Sequence, residues 1–269
     1  MKKTKPPFII AITLMALIFA VSCSKNSTGD VTSSQLGLKL FLTDGPSISF
    51  DSIFIDIQKV DIKIERQDGT EIWQNLPVQP GIYNILRLRN GVEVLLANVN
   101  IPNGKVEKLK LTLGTRNTAV KSGTSYPLAL HNNINEFTIN IDDDVDDDGD
   151  ASHKKFWLDF DGAASIIETS PGHFELNPSL HHFSHHSSAE LEGKVRPNDA
   201  QPILVYAIAG ADTLTTRTEA EGEFKFRGIH TTTVKLIIHP SNNYRDSVIN
   251  NVHINQGEDT NLGTIVLHR

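Results

Sequence analysis

The chain has 269 residues, enough for one large or two ordinary domains, and its 39% hydrophobic and 21% charged residues have the balance of a globular protein rather than a disordered tail. A single cysteine excludes a disulfide framework and a Cys-based zinc site, since each needs two or more thiols. A formal net charge of −7 argues against sequence-blind nucleic-acid binding, which needs a surplus of Lys and Arg, and leaves cations, sugars or proteins as partners.

Lys2, Lys3 and Lys5 precede an uncharged apolar run from Phe8 to Val21, and Ser22-Cys23 follows it. This is the order of a signal peptide, and the run is short for a bilayer-spanning helix, which needs ~20 residues. Ala20-Val21-Ser22-Cys23 resembles the lipobox of bacterial lipoproteins, with Ala20 where that motif more often has Leu. The resemblance implies that residues 1–22 are removed and that Cys23 is diacylated and becomes the mature N-terminus. Acyl chains contribute about 0.8 kcal/mol per buried methylene, so several on one cysteine hold a domain to a membrane without a spanning helix. The expected address is the bacterial cell envelope, anchored to the outer membrane, with the periplasmic and surface faces both open. Residues 23–35 are mostly small and polar and are read as a flexible tether.

From Leu36 onward the apolar residues alternate. Leu36, Leu38, Leu40 and Leu42 form one stripe; Ile53, Ile55 and Ile57 begin a second that continues through Val60, Ile62 and Ile64, with a change of phase that predicts a bulge. Short strands are predicted at 71–76, 82–88, 92–97, 106–113, 126–130, 136–141 and 155–160, separated by turn signals such as Asp44-Gly45-Pro46, Asp68-Gly69 and Asn90-Gly91. Gly162 to Thr169 is read as at most one short turn of helix. After a histidine-rich stretch, about seven more strands follow between Leu191 and Leu267. The predicted fold is all-β: a larger sandwich over residues 36–183, a His-rich linker at 184–188, and a smaller sandwich over 189–269.

The first unit resembles the bacterial lipoprotein family known as domain of unknown function 4382. The stretches that carry the resemblance are Leu42-Thr43-Asp44-Gly45-Pro46, Ile101-Pro102-Asn103-Gly104, Tyr126-Pro127-Leu128, Leu158-Asp159-Phe160-Asp161 and Phe174-Glu175-Leu176-Asn177-Pro178. That family implies a secreted, lipid-anchored β domain and no activity. The second unit resembles the carboxypeptidase regulatory-like domain, a prealbumin-type seven-stranded sandwich related in shape to starch-binding modules. Gly193-Lys194-Val195, Gly222-Glu223-Phe224-Lys225-Phe226 and Asn261-Leu262-Gly263-Thr264-Ile265 carry it. Gly222 permits the tight turn that sends Phe224 and Phe226 to one face.

Asp142-Asp143-Asp144-Val145-Asp146-Asp147-Asp148-Gly149-Asp150 is the strongest local constellation. Asp144, Asp146 and Asp148 take positions 1, 3 and 5 of a calcium loop, with Gly149 at 6 and Asp150 at 7. Position 12 falls on Lys155 instead of Glu, so a full EF-hand is not expected; Asp159 or Asp161 is the alternative ligand, and a solvated acidic hairpin tip is the alternative to calcium. His181, His182, His185 and His186 pair at helical spacing as transition-metal ligands if the segment is helical, and otherwise read as a polar linker. No G-x-S-x-G, P-loop, G-x-G-x-x-G or HExxH is present, and no organic cofactor is expected.

The expected function is that of a non-catalytic, lipid-anchored envelope protein acting as a binding or structural module. Its partners are the membrane, through the lipid, and an envelope protein or a glycan, but no nucleic acid. The alternatives are a carbohydrate-binding accessory lipoprotein, with aromatics such as Trp73 and Trp157 stacking on sugars, and a calcium-dependent adhesion or assembly protein.

Overall fold

Every second residue of the first stripe is sealed from water: Leu36, Leu38, Leu40 and Leu42 are all buried, as the two-residue period of a strand requires. The computed structural model describes residues 35–44, 50–141 and 153–269, with only the backbone of His153, and both sandwiches fall within one compact unit, Ser34–Arg269. Cys23 and the run Asp142 to Asp150, with Asp144, Asp146, Asp148 and Asp150, lie outside the described residues.

The fold is all-β. In chain order the first sandwich contains β1 (Gln35–Thr43), β2 (Ser52–Arg66), β3 (Glu71–Leu76), β4 (Gly81–Asn84), β5 (Val94–Pro102), β6 (Gly104–Leu113), β7 (Thr118–Lys121), β8 (Thr124–Leu130), β9 (Glu136–Asn140), β10 (His153–Asp161), β11 (Ile166–Ser170), β12 (His173–Leu176) and β13 (Ser179–Phe183). One sheet has the order β13-β10-β1-β5; the other runs β11-β12-β8-β7-β2-β6-β9, with β3 and β4 also paired to β2. The core between them takes Leu38, Leu40 and Leu42 from one sheet and Ile53, Ile55, Ile57, Val60, Ile62 and Ile64 from the other. The predicted bulge in β2 appears where its register with β6 slips between Ile57 and Lys59.

The second sandwich contains β14 (Ala189–Arg196), β15 (Leu204–Ala209), β16 (Asp212–Arg217), β17 (Glu223–Ile229), β18 (Thr233–His239), β19 (Ser247–His253) and β20 (Asp259–Val266), in sheets ordered β17-β14-β20 and β16-β15-β18-β19. It has its own core, with Phe224 and Phe226 edge to face at 6.0 Å between ring centroids. Gly222 has φ +78°, and a Cβ there would stand 2.2 Å from the Val195 carbonyl oxygen, so only glycine makes the turn that delivers these rings.

Two expectations need correction. Gly162 to Thr169 is not helical: it is a turn followed by β11, whose few apolar residues pair with β12. The histidine-rich stretch is not wholly linker, because His181 and His182 belong to β13 and sit opposite Asp159 and Leu158 of β10. A strand turns successive side chains to opposite faces, so the helical pairings His181 with His185 and His182 with His186 do not arise; His185 and His186 occupy the turn that follows.

Candidate functional site

The site is built on the parallel pairing of β1 with β10, which brings together residues more than a hundred apart in sequence. In that register Leu42 faces Leu158 and Thr43 faces Asp159, and β13 continues the row with His181. Residues of even number on β1 and β10 point to the core, so Phe41, Trp157 and Asp159 point outward. That outward face is covered by the second sandwich. Trp157 is 3% exposed, stacked at 5.3 Å and 9° on Phe183 and at 5.8 Å and 28° on Phe41. The Lys155 ammonium lies 4.4 Å from the Trp157 ring centroid and the Arg227 guanidinium 5.7 Å from it.

One ion pair ties the two sandwiches across this row, and a network within the second sandwich supports it. Trp157 Nε1 donates to Glu93 Oε2 at 2.6 Å, and Arg227 of β17 pairs with the same oxygen. Arg227 Nε also meets Glu190 Oε1 at 2.8 Å, and Lys225 pairs with Glu190 and, at 3.4 Å, with Glu192. Arg227, Glu93 and Glu190 are each a quarter exposed or less, so these pairs act in a lower dielectric than surface pairs do.

Beside them the turn Asn90-Gly91, with both residues at positive φ, inserts one side chain into the second sandwich. Asn90 Nδ2 donates to the Arg217 carbonyl and to Glu219 Oε1, each at 2.8 Å, while its Oδ1 accepts from Thr216 Oγ1 at 2.7 Å. The amide thus has partners at both ends, as a polar group at a junction needs. Gly228 carries the close approach on the other side: a Cβ there would stand 3.0 Å from the Phe183 ring.

Asp44 lies where these elements converge. It is 7% exposed; its backbone N–H donates to Leu88 O, its Oδ1 accepts from Gly162 N at 3.0 Å, and its Oδ2 has no hydrogen-bond partner among the described residues. Burial pushes its carboxyl from 3.8 up to about 8, opposed by the Gly162 N–H and reinforced by the carboxylates of Asp159 and Asp161, with Arg89 pulling the other way.

Asp56, also shielded from solvent but by the exposed Arg116 at the rim of the sheet, shows the opposite behaviour. It accepts from Arg116 through Nε at 3.0 Å, Nη2 at 2.9 Å and the backbone N–H at 3.2 Å, and from Gln58 Nε2 at 2.6 Å, and these bonds, Arg116 first, hold it below the ordinary carboxylate range. Asp44 differs from it in two ways: it lies deeper, and it has one donor instead of four.

Next to Asp44 a small pocket of about 50 Å³ is lined by Asp159, Phe183, Lys225 and Arg227, and a larger cleft of about 480 Å³ by Asp161, His181, His182, Asp212 and His230. Among the described residues no three His, Cys, Asp or Glu side chains converge as metal ligands. Of the aromatics read as sugar platforms, Trp73 is 49% exposed on the outer face of the larger sheet, with Lys110 5.4 Å from its centroid, whereas Trp157 is buried in the junction. Sequence reading gave no functional weight to Asp44, Glu93 or Arg227. The available signal was a lone Asp at the end of the leucine stripe, where the alternation demands a terminus but not an acid.

No curated protein matches the chain. Among solved structures the chain is similar to the TIE protein of Bacillus anthracis, at 10% identity, 87% coverage of this chain and a TM-score of 0.22; it spans about a third of that chain's length, 34%. It is also similar to the shaft pilin spaA of Lactobacillus rhamnosus GG, at 8% identity, covering 88% of this chain and 97% of that one, with a TM-score of 0.22. Scores of this size carry no argument about role. Residues 37–178, more than half of the chain and the span that holds Asp44, Glu93, Trp157 and Asp159, match the family described as Domain of unknown function (DUF4382), and the protein belongs to that family.

Proposed function

We propose that the protein is a non-catalytic, lipid-anchored module of the bacterial cell envelope with a binding or structural role, and that residues 189–269 are a carboxypeptidase regulatory-like domain carried rigidly on the first sandwich. The observation that supports this reading is the junction itself. Its strongest groups, Trp157, Glu93 and Arg227, are spent on one another and on holding one sandwich against the other, which suits a part that bears load or presents a surface. The resemblance of Ala20-Val21-Ser22-Cys23 to a lipobox and the polar stretch after it supply the attachment.

Growth of a lipoprotein-competent bacterial host with labelled palmitate tests the attachment. The wild-type chain is expected to take up label and to partition with membranes, and Cys23→Ala is expected to lose both. An unlabelled wild-type chain would remove the anchor from this account.

A further inference from the structure

The second sandwich covers the smaller sheet of the first, so the outer face of the larger sheet is left free. We propose that this face binds a neutral glycan, with Trp73 as the platform on which one sugar ring stacks. The proposal deepens the binding-module reading by naming a ligand class, and it rests on that reading.

The face is built from rows that run across the strands. Trp73 of β3 sits opposite Lys63 of β2, and Lys63 opposite Lys108 of β6. In the next row Asn75 faces Asp61, Asp61 faces Lys110, and Lys110 faces Thr138 of β9. Alternation sends Val60, Ile62 and Ile64 of β2 into the core, so Asp61, Lys63 and their row neighbours point away from it. These two rows hold one aromatic side chain, and at 49% exposure half of it is open to solvent. Lys110 Nζ lies 5.4 Å from the Trp73 centroid and is itself held by Glu136 at 3.3 Å.

Charge on the face is balanced. Lys63 holds Glu71 at 2.6 Å and Glu107 at 3.1 Å, and Lys59 holds Asp61 at 2.9 Å. With Lys108 and Lys110, these lysines stand against Asp61, Glu71, Glu107 and Glu136, which leaves no surplus charge to draw a polyanion. The face is also too rich in charged residues for the core of a protein interface, where they are depleted. What it offers is one aromatic plane beside hydrogen-bonding groups with spare capacity. Asn75 donates to Val60 O and Asp61 Oδ1, while its own Oδ1 accepts from no described residue, and Lys108 has no carboxylate partner among the described residues. A sugar ring matches both features, with C–H groups to pack on the indole and hydroxyls at its rim to bond these side chains.

Titration calorimetry of the full chain with cellohexaose, maltohexaose, mannohexaose and N-acetylchitohexaose tests the proposal. At least one is expected to bind, with an affinity that ~0.5 M salt leaves unchanged, since no net charge is involved. Trp73→Ala is expected to weaken that binding about tenfold or more and Lys108→Ala about threefold. Both residues lie on the surface, so the melting temperature is expected to stay as it is. In the wild-type chain the bound sugar is expected to shield Trp73 from acrylamide quenching; Trp157, the other tryptophan, is 3% exposed and contributes little.

No binding to any of the four, binding that Trp73→Ala leaves intact, or binding of an acidic polysaccharide or oligonucleotide alone, lost in salt, would overturn the proposal. Palmitate labelling at Cys23 reads the anchor separately, so loss of the glycan site and loss of the envelope reading are distinguishable.

Discussion

Asp44→Asn is expected to stabilise the protein at alkaline pH and to flatten its stability profile. The sign follows from linkage. The unfolded chain releases the Asp44 proton near 3.8, whereas the folded chain keeps it until about 8, so between those values the folded state binds the extra proton and stability falls as pH rises. At 1.36 kcal/mol per unit, the loss across the window is on the order of 5 kcal/mol. Asparagine carries no charge and keeps an oxygen for the Gly162 N–H, but it leaves an amide donor where Oδ2 now stands, costing about 1–3 kcal/mol. The net gain above pH 8 is about 2–4 kcal/mol. Below pH 4, where both states hold the proton, the variant is expected to show no gain. Asp56, held low by Arg116, acts in the other direction: its contribution is present above the unfolded carboxylate range and is lost as pH falls. The difference between the wild-type and Asp44→Asn profiles, from urea unfolding at pH 4 to 9, therefore isolates Asp44, and parallel profiles would contradict the assignment.

Arg227→Ala is expected to be the most damaging single change at the junction. It removes the cation shared by Glu93 and Glu190 and a cation over Trp157; Glu190 keeps Lys225, but among the described residues Glu93 is left partly buried with no cation. Stranding such a charge costs about 3–5 kcal/mol when it is fully buried and less at this partial exposure, but more than the pair itself contributes. The loss falls on the contact between the sandwiches, not on either core, since Arg227 does not enter the cluster around Phe224 and Phe226. Followed by Trp157 fluorescence in the Trp73→Phe background, the variant is expected to report separation at lower urea than backbone circular dichroism does, where the parent gives coincident curves. Coincident curves in the variant, at an unchanged midpoint, would show that Arg227 carries no coupling.

Much of this fold is legible in the sequence because burial in a sandwich enforces a period of two. The leucine stripe of β1, the phase change in β2 and the Phe224–Phe226 pair could each be read directly, and so could the turn at Asn90-Gly91. What could not be read is pairing. The parallel register of β1 with β10 joins distant segments whose local patterns would suit many partners, and it alone places Thr43 beside Asp159 and Asp44 near Asp161. Strands β7 and β11 are short and half-exposed, so their alternation is too brief to stand out. The turn at Asn90-Gly91 was legible as a turn, but its amide's partners, Arg217, Thr216 and Glu219, belong to another sandwich. The same holds for Glu93 and Arg227, each an ordinary charged residue in its own strand neighbourhood until the junction closes.

The central claim is that the two sandwiches, each with its own core, are coupled by this junction into one folding unit. Differential scanning calorimetry of the full chain at pH 6, where Asp44 holds its proton, tests it most directly. The expected result is a single endotherm whose calorimetric and van't Hoff enthalpies agree; two resolved transitions in the wild-type chain would contradict the claim.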